Sequence, residues 1–469
     1  FNVMSTQDVD AALSPCQDFY AYTCNQWMNS HMIPATQDVV NLPTMTTQSI
    51  RYRLHQLLTT TTPFDINGLP NPDRVLDRQL FNKLTDLYRS CLKTPSGGAD
   101  LLYPIFREII KQGSDGEINE YLAERGIWSL FEIKIGPDLV EAPGRTAIHL
   151  SLPPKINLAE EEERYVEGLS AILKLVFERD KEFEWRKLSA QATARRIVEF
   201  EREWKVKESL VLRRWTAEEL QREVPEIRWS SFANGRPILV QQEVLEKIKK
   251  NAAVKGRTLQ MYQVWRTIWT YMDALGEEFM EQKQRLQGLA KPERWETCLS
   301  MVDNGYLGPL LGRYFLLDHA FEPAIEQVRL ETQKIVSQLE KRMQGREEMI
   351  KKLRGMQFEI GYATHASLDI LDVLSLAEYY GELQMDQEKL FENMLNVHMQ
   401  AYIQARHELK QAQIKPPVFN PTSTEIVYRY EYNQVVIPAG VLQFPYFDVQ
   451  GPDYLYQGTL GWMIGQAVM

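Results

Sequence analysis

Apolar residues recur at three- and four-residue steps over most of the chain, which predicts amphipathic helix. In "LFNKLTDLYRSCLK" (80–93), Leu80, Leu84, Leu87, Tyr88 and Cys91 fall on one face. "YVEGLSAILKLVFERD" (165–180) and "QATARRIVEFEREW" (191–204) repeat the pattern with charged outer faces, and 321–356 is a further long amphipathic stretch. Breakers punctuate these runs: "TPSGG" at 94–98, "EAPGR" at 141–145 and "NPTST" at 420–424. The pattern changes after about Lys415. "EIVYRYEYNQVVIPAGVLQFPYF" (425–447) alternates with period two and is rich in Tyr, Val and Ile, so it predicts strand and extended chain. The expected organisation is a helical body followed by the start of a β-containing unit, with no internal repeat. The last stretch, "GTLGWMIGQAVM" (458–469), is apolar and glycine-studded and predicts the beginning of a buried helix.

Bulk properties narrow the function classes. The 469 residues are 44% hydrophobic and 25% charged, ordinary for a globular protein able to bury a large core. The formal net charge of −10, with both signs interspersed, argues against a nucleic-acid surface, which needs a basic stripe. No apolar run approaches the ~20 residues of a membrane-spanning helix. The first residue is Phe1, from which an upstream targeting or anchoring segment is expected to have been removed. Cys16, Cys24, Cys91 and Cys298 are too widely spaced for a zinc finger and fit either disulfides or free thiols. No Asn-x-Ser/Thr sequon occurs, which counts against heavy glycosylation.

Candidate chemistry is sparse. None of the seven histidines is followed four residues on by another. "HELKQ" (407–411) has the start of a zinc-peptidase helix, but Gln411 stands where the second imidazole is needed, and the surroundings read as a solvated helix face. There is no nucleophile elbow, phosphate loop or dinucleotide fingerprint.

A family resemblance goes further. "PCQDFYAYTCNQW" (15–27) followed by Ile33-Pro34, "LYRSC" (87–91), "RWETCLSMVDNGYLGPLLGRYF" (294–315), "IGY" (360–362) and "NQVVIPAGVLQFPYF" (433–447) resemble, in order, segments of the neprilysin family of zinc metallopeptidases. Asn25 and Gln26 stand where that family usually has glycines. The resemblance implies a mainly α fold. A large neprilysin-type helical domain (1–415) would be followed by the first part of a thermolysin-like α+β lobe (416–469), with a central cavity that restricts substrates to peptides. It also implies a disulfide between Cys91 and Cys298. Cys16 and Cys24 match family cysteines that bond further downstream. They are expected to stay unpaired or to reach a second chain, since a helix would hold them about 12 Å apart. An apolar surface is then expected at Trp462, Met463 and Ile464.

In the family, the Pro-Ala-Gly segment leads into Gly-x-x-Gly-x-x-Ile-Gly-His-Glu-x-x-His. Aligned on Gly458, Gly461 and Gly465, the first zinc imidazole falls on Gln466 and the catalytic carboxylate on Ala467. An amide is a poor zinc ligand, and a methyl group cannot take a proton from water. The family's Asn-Ala-x-Tyr edge, which binds the peptide main chain by strand addition, falls on Glu425, Ile426, Val427 and Tyr428, keeping only the tyrosine. The expected function is therefore a catalytically inactive homologue that binds a peptide or protein. The alternatives are an N-terminal portion or variant of an active zinc metalloendopeptidase, and a structural helical domain. No cofactor is expected, zinc entering only under the enzyme alternative. Expected partners are a peptide or protein, or a second chain joined through Cys16 or Cys24, with no nucleic acid. The expected location is extracellular, either secreted or as the ectodomain of a membrane-anchored protein.

Overall fold

A computed structural model of the chain describes residues 9–34, 39–60, 71–93, 97–112, 117–156, 162–202, 204, 211–254, 256–288, 292–318, 321–343 and 345–469. The fold is mainly α, as the periodicity predicts. Leu80, Leu84, Leu87, Tyr88 and Cys91 all lie buried along the Asn71–Leu92 helix. The Glu162–Arg179 and Ala190–Arg202 helices pack against each other, with Ile172, Leu173, Val176, Ile197 and Val198 buried. At the centre, Arg257–Tyr271 buries residues around most of its circumference, Tyr262, Trp265 and Ile268 among them, as a core helix must. The stretch 321–356 forms two helices, Glu322–Arg342 and Glu347–Arg354. They part at Gly345, whose φ of +84° suits only a residue without a Cβ. Part of the 94–98 breaker lies outside the described residues.

β-structure is not confined to the region after Lys415. Within the helical body, β1 (Glu132–Asp138), β2 (Ala142–Ser151), β3 (Leu212–Trp215) and β4 (Ile238–Gln241) form a sheet in the order β1-β2-β4-β3. The "EAPGR" breaker is the turn and outer end of the antiparallel β1–β2 hairpin. β2 and β4 run parallel, so the chain between them makes a long crossover through helices. A second sheet, in the order β5-β7-β6, joins β5 (Gln357–Gly361) to β7 (Gln434–Pro438) in parallel and β6 (Val427–Arg429) to β7 antiparallel. β7 is central and wholly buried, and β6 is an edge strand.

Cys91 and Cys298 are bonded, with a Cα–Cα distance of 5.4 Å. The bond ties the Asn71–Leu92 helix to the Arg294–Val302 helix across a sequence separation of 207. Cys16 and Cys24 are free; Cys24 lies on the Phe19–Ser30 helix, which buries none of its side chains.

Candidate functional site

Residues 453–468 form one nearly continuous helical segment: Asp453–Tyr456, a π turn over Gln457–Gly461, then Trp462–Val468. π turns inside helices are frequent at functional sites. Here the wider turn contains Gly458 and Gly461, and the Thr459 hydroxyl donates to the Tyr446 carbonyl at 2.7 Å. Four-residue spacing decides which side chains are covered. Leu460, Ile464 and Val468 point into the core, whereas Trp462 is 60% exposed. The expected apolar surface is therefore corrected at Ile464, only 1% exposed, because the helix turns that position onto the core.

The outward side of this helix forms one wall of a groove of about 610 Å³, lined by Trp462, Met463, Gln466 and Ala467. The opposing walls are Ile426 with Tyr428, and Asn41-Leu42-Pro43 at the start of the Leu42–Thr59 helix. That helix begins with a reciprocal cap. The Thr44 N–H donates to Asn41 Oδ1 at 3.0 Å, and the Asn41 N–H donates to Thr44 Oγ1 at 2.9 Å. Tyr446 lies against the groove with its hydroxyl buried and unpartnered, and burial pushes its pKa up to about 12. Tyr428 donates its hydroxyl to Asn433 Oδ1 at 2.9 Å, and the Lys352 ammonium lies 5.2 Å from its ring centre. Asn433, at φ +47°, closes the β6–β7 turn with its N–H donating to the Tyr430 carbonyl, and its side chain donates to the Lys352 carbonyl of the Glu347–Arg354 helix.

Six of the residues singled out from sequence, Ile426, Tyr428, Trp462, Met463, Gln466 and Ala467, thus meet in one groove. Glu425 does not line it; that residue is exposed, with its N–H donating to Ser423 Oγ at 3.2 Å. Asn41, Leu42, Pro43 and Tyr446 were not foreseen, although Asn41 ahead of Leu-Pro-Thr is a legible helix start. His407 and Glu408 sit near the end of the Leu390–Lys410 helix, with Gln411 at its cap. His407 is exposed, and burial raises the Glu408 carboxyl above the usual carboxylate range.

The groove lining does not fit a catalytic zinc. Its polar groups are amides, tyrosine and threonine hydroxyls, the Trp462 indole N–H, the Met463 thioether and backbone, with no imidazole, carboxylate or thiol. Among the described residues, no three His, Cys, Asp or Glu side chains converge to hold a metal ion anywhere. No helix of the described residues is long and apolar enough to cross a membrane.

Residues 15–363 match Peptidase family M13, and the chain belongs to that family. Neprilysin-3 of Drosophila melanogaster is 22% identical over 98% of this chain, which spans 64% of that protein. Endothelin-converting enzyme-like 1 of Mus musculus is 24% identical, again over 98% of this chain and 64% of its own length. Human neprilysin is 22% identical, with 98% and 69% covered. The chain thus spans roughly two thirds of the curated relatives it matches. In fold it is similar to a zinc metalloprotease of Mycobacterium tuberculosis solved in complex with inhibitor, with a TM-score of 0.76 and 17% identity. That match covers 99% of this chain and 74% of the other. PepO of Lactobacillus rhamnosis gives a TM-score of 0.73 at 17% identity, with 97% and 76% covered.

Proposed function

We propose that the chain is a non-hydrolysing member of its family that binds an extended peptide or protein segment in this groove, outside the cell. The observation that carries the reading is the pair Gln466 and Ala467. They lie on the groove at the two positions where the family resemblance calls for a zinc imidazole and a general base. Whatever follows Met469, these two groups are an amide and a methyl, so metal binding and water activation are both impaired at the same place. The binding half of the reading rests on β6. As an edge strand, it has a main-chain side not used by β7, next to an apolar groove that can take a side chain. A disulfide within the chain supports an oxidising, extracellular location.

The test combines metal analysis of the purified protein with a mixed library of fluorogenic peptides. Expected are no stoichiometric zinc, no cleavage sensitive to a chelator, and retention of a subset of peptides that is lost on Tyr428→Ala. Zinc that disappears on Gln466→Ala, together with chelator-sensitive hydrolysis, would overturn the proposal in favour of the active metalloendopeptidase. Absence of both cleavage and peptide retention would favour the structural alternative.

A further inference from the structure

Two of the groove walls are tied to the same element of the helical body, the Arg294–Val302 helix. The first tie reaches the Leu42–Thr59 helix, whose start forms one wall. Arg51 donates through Nη2 to the Glu296 carbonyl at 2.8 Å and to Ser300 Oγ at 3.1 Å. One turn earlier, Gln48 donates to the Glu296 carboxylate at 3.1 Å. The second tie reaches the 420–424 turn, which feeds Ile426 and Tyr428 into the opposite wall. Asp303, at the end of the same Arg294–Val302 helix, accepts from Asn420 Nδ2 at 2.5 Å and from Thr422 Oγ1 at 3.1 Å. A direct hydrogen bond of 2.9 Å between the hydroxyls of Thr47 and Thr424 joins the two walls to each other.

The turn has little room to move. A Cβ at Gly312 would come within 2.3 Å of Pro421, and one at Gly440 within 2.3 Å of the Ser423 carbonyl. Gly440 also donates its N–H to the Pro421 carbonyl at 2.8 Å. The Arg294–Val302 helix is itself anchored, since Cys298 is bonded to Cys91 of the Asn71–Leu92 helix and Arg294 Nε donates to the Cys91 carbonyl at 2.8 Å.

We infer that the Arg294–Val302 helix is the spacer that sets the width of the groove, with Asp303 as the positioning residue for the wall that carries Ile426 and Tyr428. The inference deepens the reading of the groove as a peptide site and rests on it for its functional meaning, although the spacing itself is testable without any ligand. A closely packed turn that receives two of its side-chain bonds from one half-buried carboxylate has a few discrete arrangements rather than a continuum. Losing the carboxylate therefore lets the edge strand shift as a unit.

The experiment places nitroxide labels at exposed Pro43 and Val427, each changed to cysteine, in a background where Cys16 and Cys24 are serine. Pulsed electron resonance then reads the distance between the walls. A single narrow distribution is expected in the parent, and a distribution at least about twofold broader, or a shifted one, after Asp303→Ala and after the milder Thr422→Val. Tyr165→Phe serves as the control. It removes the 2.5 Å hydrogen bond to half-buried Glu201 in another part of the body, so it should lower stability without moving the labels. Retention of a random octapeptide library should fall about tenfold in Asp303→Ala. If the distances change while no peptide is retained by any form, the spacing inference stands and the peptide reading fails. Unchanged distances in folded Thr422→Val or Asp303→Ala would overturn the inference. So would a Tyr165→Phe variant that broadens the distribution equally, because the effect would then be general loosening.

Discussion

The helical body and the groove differ in how they treat buried charge. In the body, buried carboxylates are compensated within the chain. Asp77 is met by Arg313 at 2.9 Å and by the Tyr314 hydroxyl at 3.1 Å. Asp180 accepts the N–H groups of Glu182, Phe183 and Trp185 at 2.7–3.0 Å. Glu201, half-buried, accepts from Tyr165 and Trp265. The groove holds no carboxylate, and its buried Tyr446 hydroxyl has no partner. A buried ion without its partner is expensive, so the body's pairs fix one arrangement of helices. An uncharged, partly apolar groove is free of that constraint and suits contact with something outside the chain. On the proposed reading, architecture lies in the body and recognition at the groove.

The sharpest way to break the contrast is to remove one member of a buried pair. Asp77→Ala would strand the Arg313 guanidinium, which also donates to the Ile370 and Leu371 carbonyls, in a site where both pair members are almost wholly buried. A loss of roughly 3–5 kcal/mol in denaturant unfolding is expected, against no more than about 0.5 kcal/mol for Gln466→Ala, an exposed groove position. Equal losses would erase the distinction.

Opening the Cys91–Cys298 bond comes next. Replacing both cysteines by serine should cost about 2–5 kcal/mol, because the bond closes a long loop of the unfolded chain. Peptide retention by the folded fraction is expected to weaken as well, since the Arg294–Val302 helix loses its anchor. A midpoint of unfolding unaltered by the substitutions would show that packing alone holds these helices together.

How much of this was legible in the sequence differs between the two regions for physical reasons. Helices were legible because one apolar face at 3.6-residue spacing leaves a long, redundant trace, as in 80–93. The β1–β2 hairpin was missed although Ile133 and Ile135 alternate with polar residues; the run is only a few residues long, and Gly136-Pro137 interrupts it. β5 was missed because five residues, QFEIG, lie directly after a strong helical stretch. At the groove, the family resemblance marked Gln466, Ala467, Ile426 and Tyr428, each on a quoted motif or aligned with one. Asn41–Pro43 came from a segment more than 400 residues away in sequence, and nothing in the chain's local pattern says that it meets the last helix. The Asp303 tie was equally hidden, since a lone aspartate at a helix end carries no sign of a turn far downstream.

Acid offers a smaller perturbation directed at the body. His398 packs beside Gly126 and the Tyr271 ring, and burial pushes its pKa down to about 4. In the unfolded chain it titrates near 6.5, so between about 6.5 and 4 the unfolded state binds the extra proton. Its contribution is therefore fully present above about 6.5 and is lost as pH falls toward 4, up to about 3 kcal/mol. Comparing the pH dependence of unfolding for the parent and His398→Gln isolates this share. The expected result is a shallower slope for the variant across that window; identical slopes would show that the imidazole is protonated as easily in the fold as in water.

The smallest effect is also the most direct test of the contrast, because it compares one chemical group in both regions. In the body, the Tyr380 hydroxyl donates to the Tyr306 carbonyl at 2.7 Å. Tyr380→Phe deletes that bond and leaves a carbonyl to be satisfied elsewhere, so a loss of about 1 kcal/mol is expected. At the groove, Tyr446→Phe deletes a buried hydroxyl that has no partner. No hydrogen bond is lost and the cost of keeping a polar group out of water disappears, so stability should be unchanged or rise by up to about 1 kcal/mol. The opposite signs are what matter, and urea midpoints for the two single variants and the double variant read them directly. A loss at Tyr446→Phe as large as that at Tyr380→Phe would mean that an ordered water already satisfies the groove hydroxyl. The Tyr446 hydroxyl would then be as well satisfied as that of Tyr380, and an outside ligand would have to displace that water before Tyr446 could contribute to recognition.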